Sequence, residues 1–212
     1  MRLDQLTDDR FERFYLGREL AIARQVDHNN IAKLHQAFMV GRSAVMVSQL
    51  YECDLLQYLQ QRGAVSERVA RRLLREICSA VAYLHDLNIG KLIRQSKTLL
   101  NFEPEVHRDL KTENVFLSPE GEIKLGDFGF ARQLESDSAL CETKCGSDGY
   151  IAPELVREDE EKYDAKLADV WSVGVILFTM VTKSMPFDKQ IMNMMNRFVW
   201  VIQCVGDLEF ML

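Results

Sequence analysis

The stretch that most constrains this chain is His107-Arg108-Asp109-Leu110-Lys111-Thr112-Glu113-Asn114, with Asp127-Phe128-Gly129 after it. An Asp, a Lys two residues on and an Asn five residues beyond the Asp put a carboxylate, an ammonium and an amide oxygen on one loop. Groups so spaced can orient a hydroxyl, neutralise phosphate charge and ligate a hard cation. A second carboxylate, Asp127, follows the strand-like Glu122-Ile123-Lys124-Leu125. Mg2+ takes a few oxygen ligands from protein and the rest from water and substrate phosphates, and two short acidic loops suit it.

Together these pieces resemble the catalytic loop and the magnesium-binding loop of eukaryotic protein kinases. A lone D-F-G says little, but D-F-G placed 18 residues after the Asp of an H-R-D-L-K-x-x-N run is specific. The resemblance implies that Asp109 is the base that orients the acceptor hydroxyl and that Lys111 lies beside the transferring γ-phosphoryl. It implies that Asn114 and Asp127 hold Mg2+ bridging the phosphates of ATP. A Lys within D-L-K-x-x-N is the pattern of serine/threonine rather than tyrosine kinases. His107 and Phe128 are expected to pack as core residues rather than to do chemistry.

Further expectations follow from the same resemblance. Arg108, beside the catalytic Asp, implies control by an upstream kinase acting on the next loop, with Thr143 in Glu142-Thr143-Lys144-Cys145-Gly146-Ser147 as the candidate. A phosphate there would add about two negative charges for Arg108 to pair. Glu113 and Asp54 would favour protein substrates with Arg upstream of the acceptor, by charge pairing. Val47 to Leu50 would be the segment whose backbone receives the adenine.

Arg18-Glu19-Leu20 followed by Asp27-His28-Asn29-Asn30-Ile31 resembles the family's C-helix and the turn after it, with Glu19 as the helix glutamate that pairs with a strand lysine. Phe14, Leu20, Ala21 and Val26 give the helical spacing over about 11–26. Two strands are expected at Ala32–Phe38 and Ala44–Leu50, joined by a Gly41-Arg42-Ser43 turn. Asp54 is a plausible N-cap for a short helix, and it also sits where the resemblance implies an acid near the ribose of the nucleotide and the substrate backbone. Ser66 is another, for a long helix whose Val69, Leu73, Ile77, Val81 and Leu84 form one apolar stripe while Arg68, Arg71, Arg72 and Arg75 stay wet. Gly149-Tyr150-Ile151-Ala152-Pro153-Glu154 matches the segment that closes the family's activation loop. Asp169-Val170-Trp171-Ser172-Val173-Gly174-Val175 matches its buried central helix, with Asp169 anchoring the catalytic loop.

Composition sets the limits. The chain is 47% apolar and 27% charged with a net charge of -6, which gives no general attraction to nucleic acid or to an anionic membrane. Five Cys without paired spacing fit a reducing compartment, cytoplasmic or nuclear. Cys141 and Cys145 lack two further ligands nearby for zinc. The apolar run Val170–Val181 is too short to span a bilayer and reads as a buried helix.

Two departures from the family pattern stand out. No Lys precedes Lys33 and Gly17 is the only Gly before Gly41, so the Gly-rich loop and its strand lysine are absent. Sixteen residues, Gly90–Glu105, also separate Ile89 from Val106-His107-Arg108-Asp109; their removal restores the family motif in frame, which points to translated intron or an error in the gene structure. The expected fold is therefore α+β and two-lobed, with a reduced small lobe over 1–50 and a mainly helical large lobe over 51–190 that carries the insertion 90–105. A divergent apolar tail over 191–212 follows. The expected function is an ATP- and Mg2+-dependent protein serine/threonine kinase, with finer likeness to the testis-specific kinases of the calmodulin-dependent/AMP-activated group. The alternative is a catalytically dead kinase fragment serving as scaffold or decoy, or the product of a misassigned gene structure with a retained intron.

Overall fold

In the computed structural model, the described residues are 26–40, 43–86, 105–128, 131–133, 140–156 and 162–187. The helix expected over 11–26 (Val26 apart), Glu19, nearly all of the insertion and the tail lie outside them. Strands β1 (Leu34–Val40) and β2 (Ser43–Ser48) form an antiparallel pair in which Phe38 faces Val45 and Gln36 faces Val47. Both differ from the expected boundaries. Ala32 is not in β1 because its amide donates to Leu125 O at 2.8 Å, while the Leu125 amide donates to Asn30 O at 2.8 Å. Those bonds make a parallel bridge at Ile31 instead. Leu50 falls beyond β2 and is 89% exposed.

Strand β3 (Cys53–Asp54) leads directly into α1 (Leu55–Arg62). The Asp54 carboxylate accepts the Gln57 amide at 2.8 Å, satisfying a first-turn donor, and Leu55 and Leu59 bury the inner face. Helix α2 (Glu67–His85) buries Ala70, Leu73, Leu74, Ile77, Ala80, Val81 and Leu84, a wider stripe than the i, i+4 row alone. Each Leu or Ile removed from water contributes about 1.5–3 kcal/mol. Ser66 occupies the N-cap, but its side chain makes no capping bond; its carbonyl takes the Val69 and Ala70 amides. The four arginines are exposed as expected, and one of them is not idle. Arg72 donates to Gly121 O at 3.0 Å and to Glu76 at 3.1 Å, and Glu76 accepts the Ile123 amide at 2.8 Å.

Beyond α2 come β4 (Glu105–Val106), a 3-10 turn at Thr112–Asn114, β5 (Val115–Leu117), β6 (Ile123–Leu125) and β7 (Arg132–Gln133). The order β3-β5-β6 makes one antiparallel sheet, and β4 pairs with β7. A single turn, α3 (Pro153–Val156), precedes α4 (Ala165–Thr182). The apolar run expected to start at Val170 is the body of this longer helix, which opens five residues earlier because Asp164 caps the Lys166 and Leu167 amides at 2.9 and 3.3 Å. With a mean hydropathy of 1.5 over 18 residues, α4 is long and apolar enough to cross a membrane, yet 56% of it is buried inside the protein. Val173, Val175, Ile176 and Met180 share one core with Leu73, Leu74, Ile77 and Leu84 of α2. Phe187 stacks on Trp171 of α4, centroids 5.4 Å apart. The architecture is α+β, with small sheets arranged around two long helices.

Candidate active site

The site is built outward from one buried carboxylate on α4. Asp169 is 1% exposed. Its Oδ1 accepts the Arg108 amide at 2.8 Å; its Oδ2 accepts the His107 amide at 2.9 Å and His85 Nε2 at 2.8 Å. A buried charge needs such partners, and three donors supply them. Held there, Arg108 adopts φ 63°, a left-handed conformation that costs a side-chain-bearing residue about 1–2 kcal/mol.

His107 joins the two motif loops. Its Nε2 donates to Gly126 O at 3.1 Å, and its ring lies 5.3 Å from that of Phe128; both side chains are buried, as expected for packing residues. Gly126 donates to Asn114 O at 3.0 Å and leaves no space for a side chain. A Cβ there would meet Phe116 Cε2 at 2.8 Å and Ala32 Cβ at 3.2 Å. The next residue, Asp127, has φ 62° and is exposed while Phe128 is 3% exposed. The left-handed turn thus sends the carboxylate out and the ring in.

The polar centre is a triangle of Asp109, Lys111 and Ser147. Lys111 Nζ donates to Asp109 Oδ2 at 2.8 Å and to Ser147 Oγ at 2.8 Å, and Ser147 Oγ donates to Asp109 Oδ1 at 2.8 Å. Asn114 Nδ2 ties down the Asp109 carbonyl at 2.9 Å, which leaves Asn114 Oδ1 as an oxygen ligand. Burial alone would lower the Lys111 pKa. The Asp109 hydrogen bond and charge, with Glu113 and Asp127 behind, outweigh it and hold the ammonium above its ordinary value. Thr112 Oγ1 and Tyr150 OH, 2.8 Å apart, brace the loop from below.

Of the residues picked out from the sequence, Asp109, Lys111 and Asn114 meet in one hydrogen-bonded group, and His107 links Asp127 to it through Gly126 and Phe128. Asp54 lies opposite Phe116 in the β3–β5 register, its carboxylate engaged as the α1 cap. Val47 and Leu50 are exposed, in and just after β2. Arg108 Nη1 donates to the Thr143 carbonyl at 3.4 Å, where Tyr163 OH also donates at 3.0 Å; the Thr143 side chain is exposed. Burial pushes the Tyr163 phenol up to about 12. Sequence reasoning assigned no role to Ser147 or His85. Ser147 is 38 residues from Asp109, and no local pattern connects them.

Residues 4–205 match the model of the protein kinase domain. The chain belongs to the protein kinase family. It is 39% identical over 195 residues to mouse testis-specific serine/threonine-protein kinase 2, an alignment covering 89% of this chain and 49% of the relative. Against mouse testis-specific serine/threonine-protein kinase 1 the identity is 37% over 189 residues, covering 86% and 47%. The serine/threonine-protein kinase kin-29 of Caenorhabditis briggsae is 35% identical over 208 residues, covering 93% and 23%. The chain thus spans about half the length of the testis-specific relatives it matches. Protein kinases as a family use ATP and Mg2+, and the donors present fit that use. Asn114 Oδ1 and an exposed Asp127 carboxylate are hard oxygen ligands, few in number, as Mg2+ with nucleotide phosphates requires.

Proposed function

We propose that this chain carries the phosphoryl-transfer centre of a protein serine/threonine kinase. The observation that supports it most is the Ser147 hydroxyl, hydrogen-bonded at 2.8 Å to both the Asp109 carboxylate and the Lys111 ammonium. An aliphatic hydroxyl already has there the contacts that an acceptor Ser or Thr needs. Asp109 orients the acceptor hydroxyl and takes its proton as the oxygen bonds to the γ-phosphorus and the bond from that phosphorus to ADP breaks. Lys111, kept protonated by its acidic neighbours, neutralises charge on the transferring group. Asn114 and Asp127 are the residues that would hold Mg2+, which when bound offsets charge on the nucleotide phosphates. Asp54, Val47 and Leu50 complete the nucleotide side of the reading. Glu113 and Asp54 would draw an Arg upstream of the acceptor, and phosphorylation of Thr143 by another kinase would give Arg108 a dianion in place of a carbonyl.

The deciding assay is transfer of labelled γ-phosphate from Mg2+-ATP to a Ser/Thr peptide mixture, comparing the chain with Asp109→Asn. The reading expects incorporation that drops at least about a hundredfold in the variant. Equal incorporation by both, or none by either, would refute it. A peptide array without basic preference upstream of the acceptor would remove the assignment of Glu113 and Asp54.

A further inference from the structure

His85 and His107 are 22 residues apart in the chain, yet both donate to the same oxygen, Asp169 Oδ2, at 2.8 and 2.9 Å. His85 is the last residue of α2, and its side chain is only 13% exposed against a 1% exposed carboxylate. His107 opens the catalytic loop. A connection of that length reaches roughly 70 Å when extended, so its length alone leaves the separation of its ends open. The carboxylate they share is a direct polar link between the ends, beside the common apolar core that holds Leu84 and Leu110 and the pairing of β4 with β7 (Val106 with Arg132).

We propose that His85 is a positioning residue of the catalytic loop: through Asp169 it fixes the loop entrance to the end of α2, 22 residues back along the chain. The carboxylate accepts at Oδ2 from both histidines, so Nε2 of His85 carries the hydrogen. Removing that donor leaves Asp169 with the two loop amides alone and frees the carboxylate to follow them. Arg108 and Asp109 then lose their reference to the helix, while the apolar packing of α2 on α4, which His85 does not make, stays in place. A donor at the same distance from the backbone, the Gln side-chain amide, restores the tie.

The test compares the full chain with His85→Ala and His85→Gln by hydrogen exchange, reading the 106–110 segment against the 69–81 and 170–181 segments. Exchange over 106–110 is expected to rise about tenfold or more in His85→Ala and to stay within about threefold of the parent in His85→Gln, with both helical segments unchanged in each. Unchanged exchange over 106–110 in His85→Ala overturns the proposal, as does a rise spread equally over all three segments in both variants. If His85→Ala does not fold, His85→Gln decides alone: parental protection over 106–110 supports the tie, and lost protection overturns it. A second arm rests on the kinase reading, with kcat expected to fall about tenfold in His85→Ala at a KM for ATP within about twofold. An inactive parent would sink that reading and leave the exchange arm standing.

Discussion

Ser147 stands between the acid and the base of the site, its hydroxyl 2.8 Å from Asp109 Oδ1 and 2.8 Å from Lys111 Nζ. Both bonds involve a charged partner, the kind worth about 1.5–3 kcal/mol. Ser147→Ala is therefore expected to lower kcat about tenfold to a hundredfold, because Asp109 and Lys111 lose their shared reference. Ser147→Thr, which keeps the hydroxyl, should retain most of the rate. The partly exposed position limits the loss of folding stability to about 1 kcal/mol or less. Steady-state kinetics with a thermal melt on each variant checks the pair, and a full-rate Ser147→Ala would contradict the expectation.

Stability should fall on acidification through His28. Its Nδ1 accepts the Asn30 amide at 3.1 Å, its Nε2 lies 3.1 Å from Ser79 Oγ, and its ring lies 5.0 Å from that of Tyr83. Only the neutral ring can accept at Nδ1. Burial, with the Lys124 ammonium behind it, pushes the His28 pKa below its ordinary 6.5. The unfolded chain then binds the proton at a higher pH than the folded chain does. This contribution is complete above about pH 6.5 and is lost as pH falls below that value and through the lower pKa of the folded chain. The Tm difference between the parent and His28→Gln should shrink between about pH 7.5 and about pH 5.5. A pH-independent difference would rule this out.

The two ends of α4 predict opposite responses. Asp164 caps its start through two amides, and Asp164→Ala should cost about 1 kcal/mol. Lys183 closes the helix in the left-handed region at φ 57°, where glycine carries no steric penalty. Lys183→Gly should raise stability by about 1 kcal/mol, or a few degrees in Tm. Differential scanning calorimetry distinguishes the signs.

Gly126→Ala should damage both the fold and the site. The new methyl would sit 2.8 Å from Phe116 Cε2, whose ring is stacked on Tyr51 at a centroid distance of 5.1 Å, and 3.2 Å from Ala32 Cβ. Overpacking of this kind costs about 1–3 kcal/mol. Because Gly126 also accepts from His107 and donates to Asn114, activity should fall more than the stability loss explains. Gly126→Ala with Phe116→Leu should recover part of the stability. No recovery would place the strain elsewhere.

What the sequence made legible was whatever its spacing fixes locally. Asp109, Lys111 and Asn114 lie within six residues, so one loop must present them together. The i, i+3, i+4 apolar pattern from Ala70 to Leu84 buries a helix face by the same local logic. The contacts that finish the site are not local. Ser147 reaches Asp109 across 38 residues, and His85 reaches Asp169 across 84, with no periodicity to announce either. Element ends were misplaced for a related reason. Ala32 reads as strand but spends its amide on Leu125, and Ser66 reads as a cap although its carbonyl, not its hydroxyl, meets the first turn.

Arg108 and Asp127 carry one further meaning in their backbone angles, φ 63° and φ 62°. Each is a position where glycine would relax the chain and where the side chain is wanted nonetheless. The strain of about 1–2 kcal/mol at each position is held in by the contacts and duties of its side chain, and selection for activity keeps it there. In a lineage released from that selection, glycine should begin to appear at 108 or 127. The same two positions would then serve as a sequence-level marker separating descendants still under catalytic selection from those that keep only the fold.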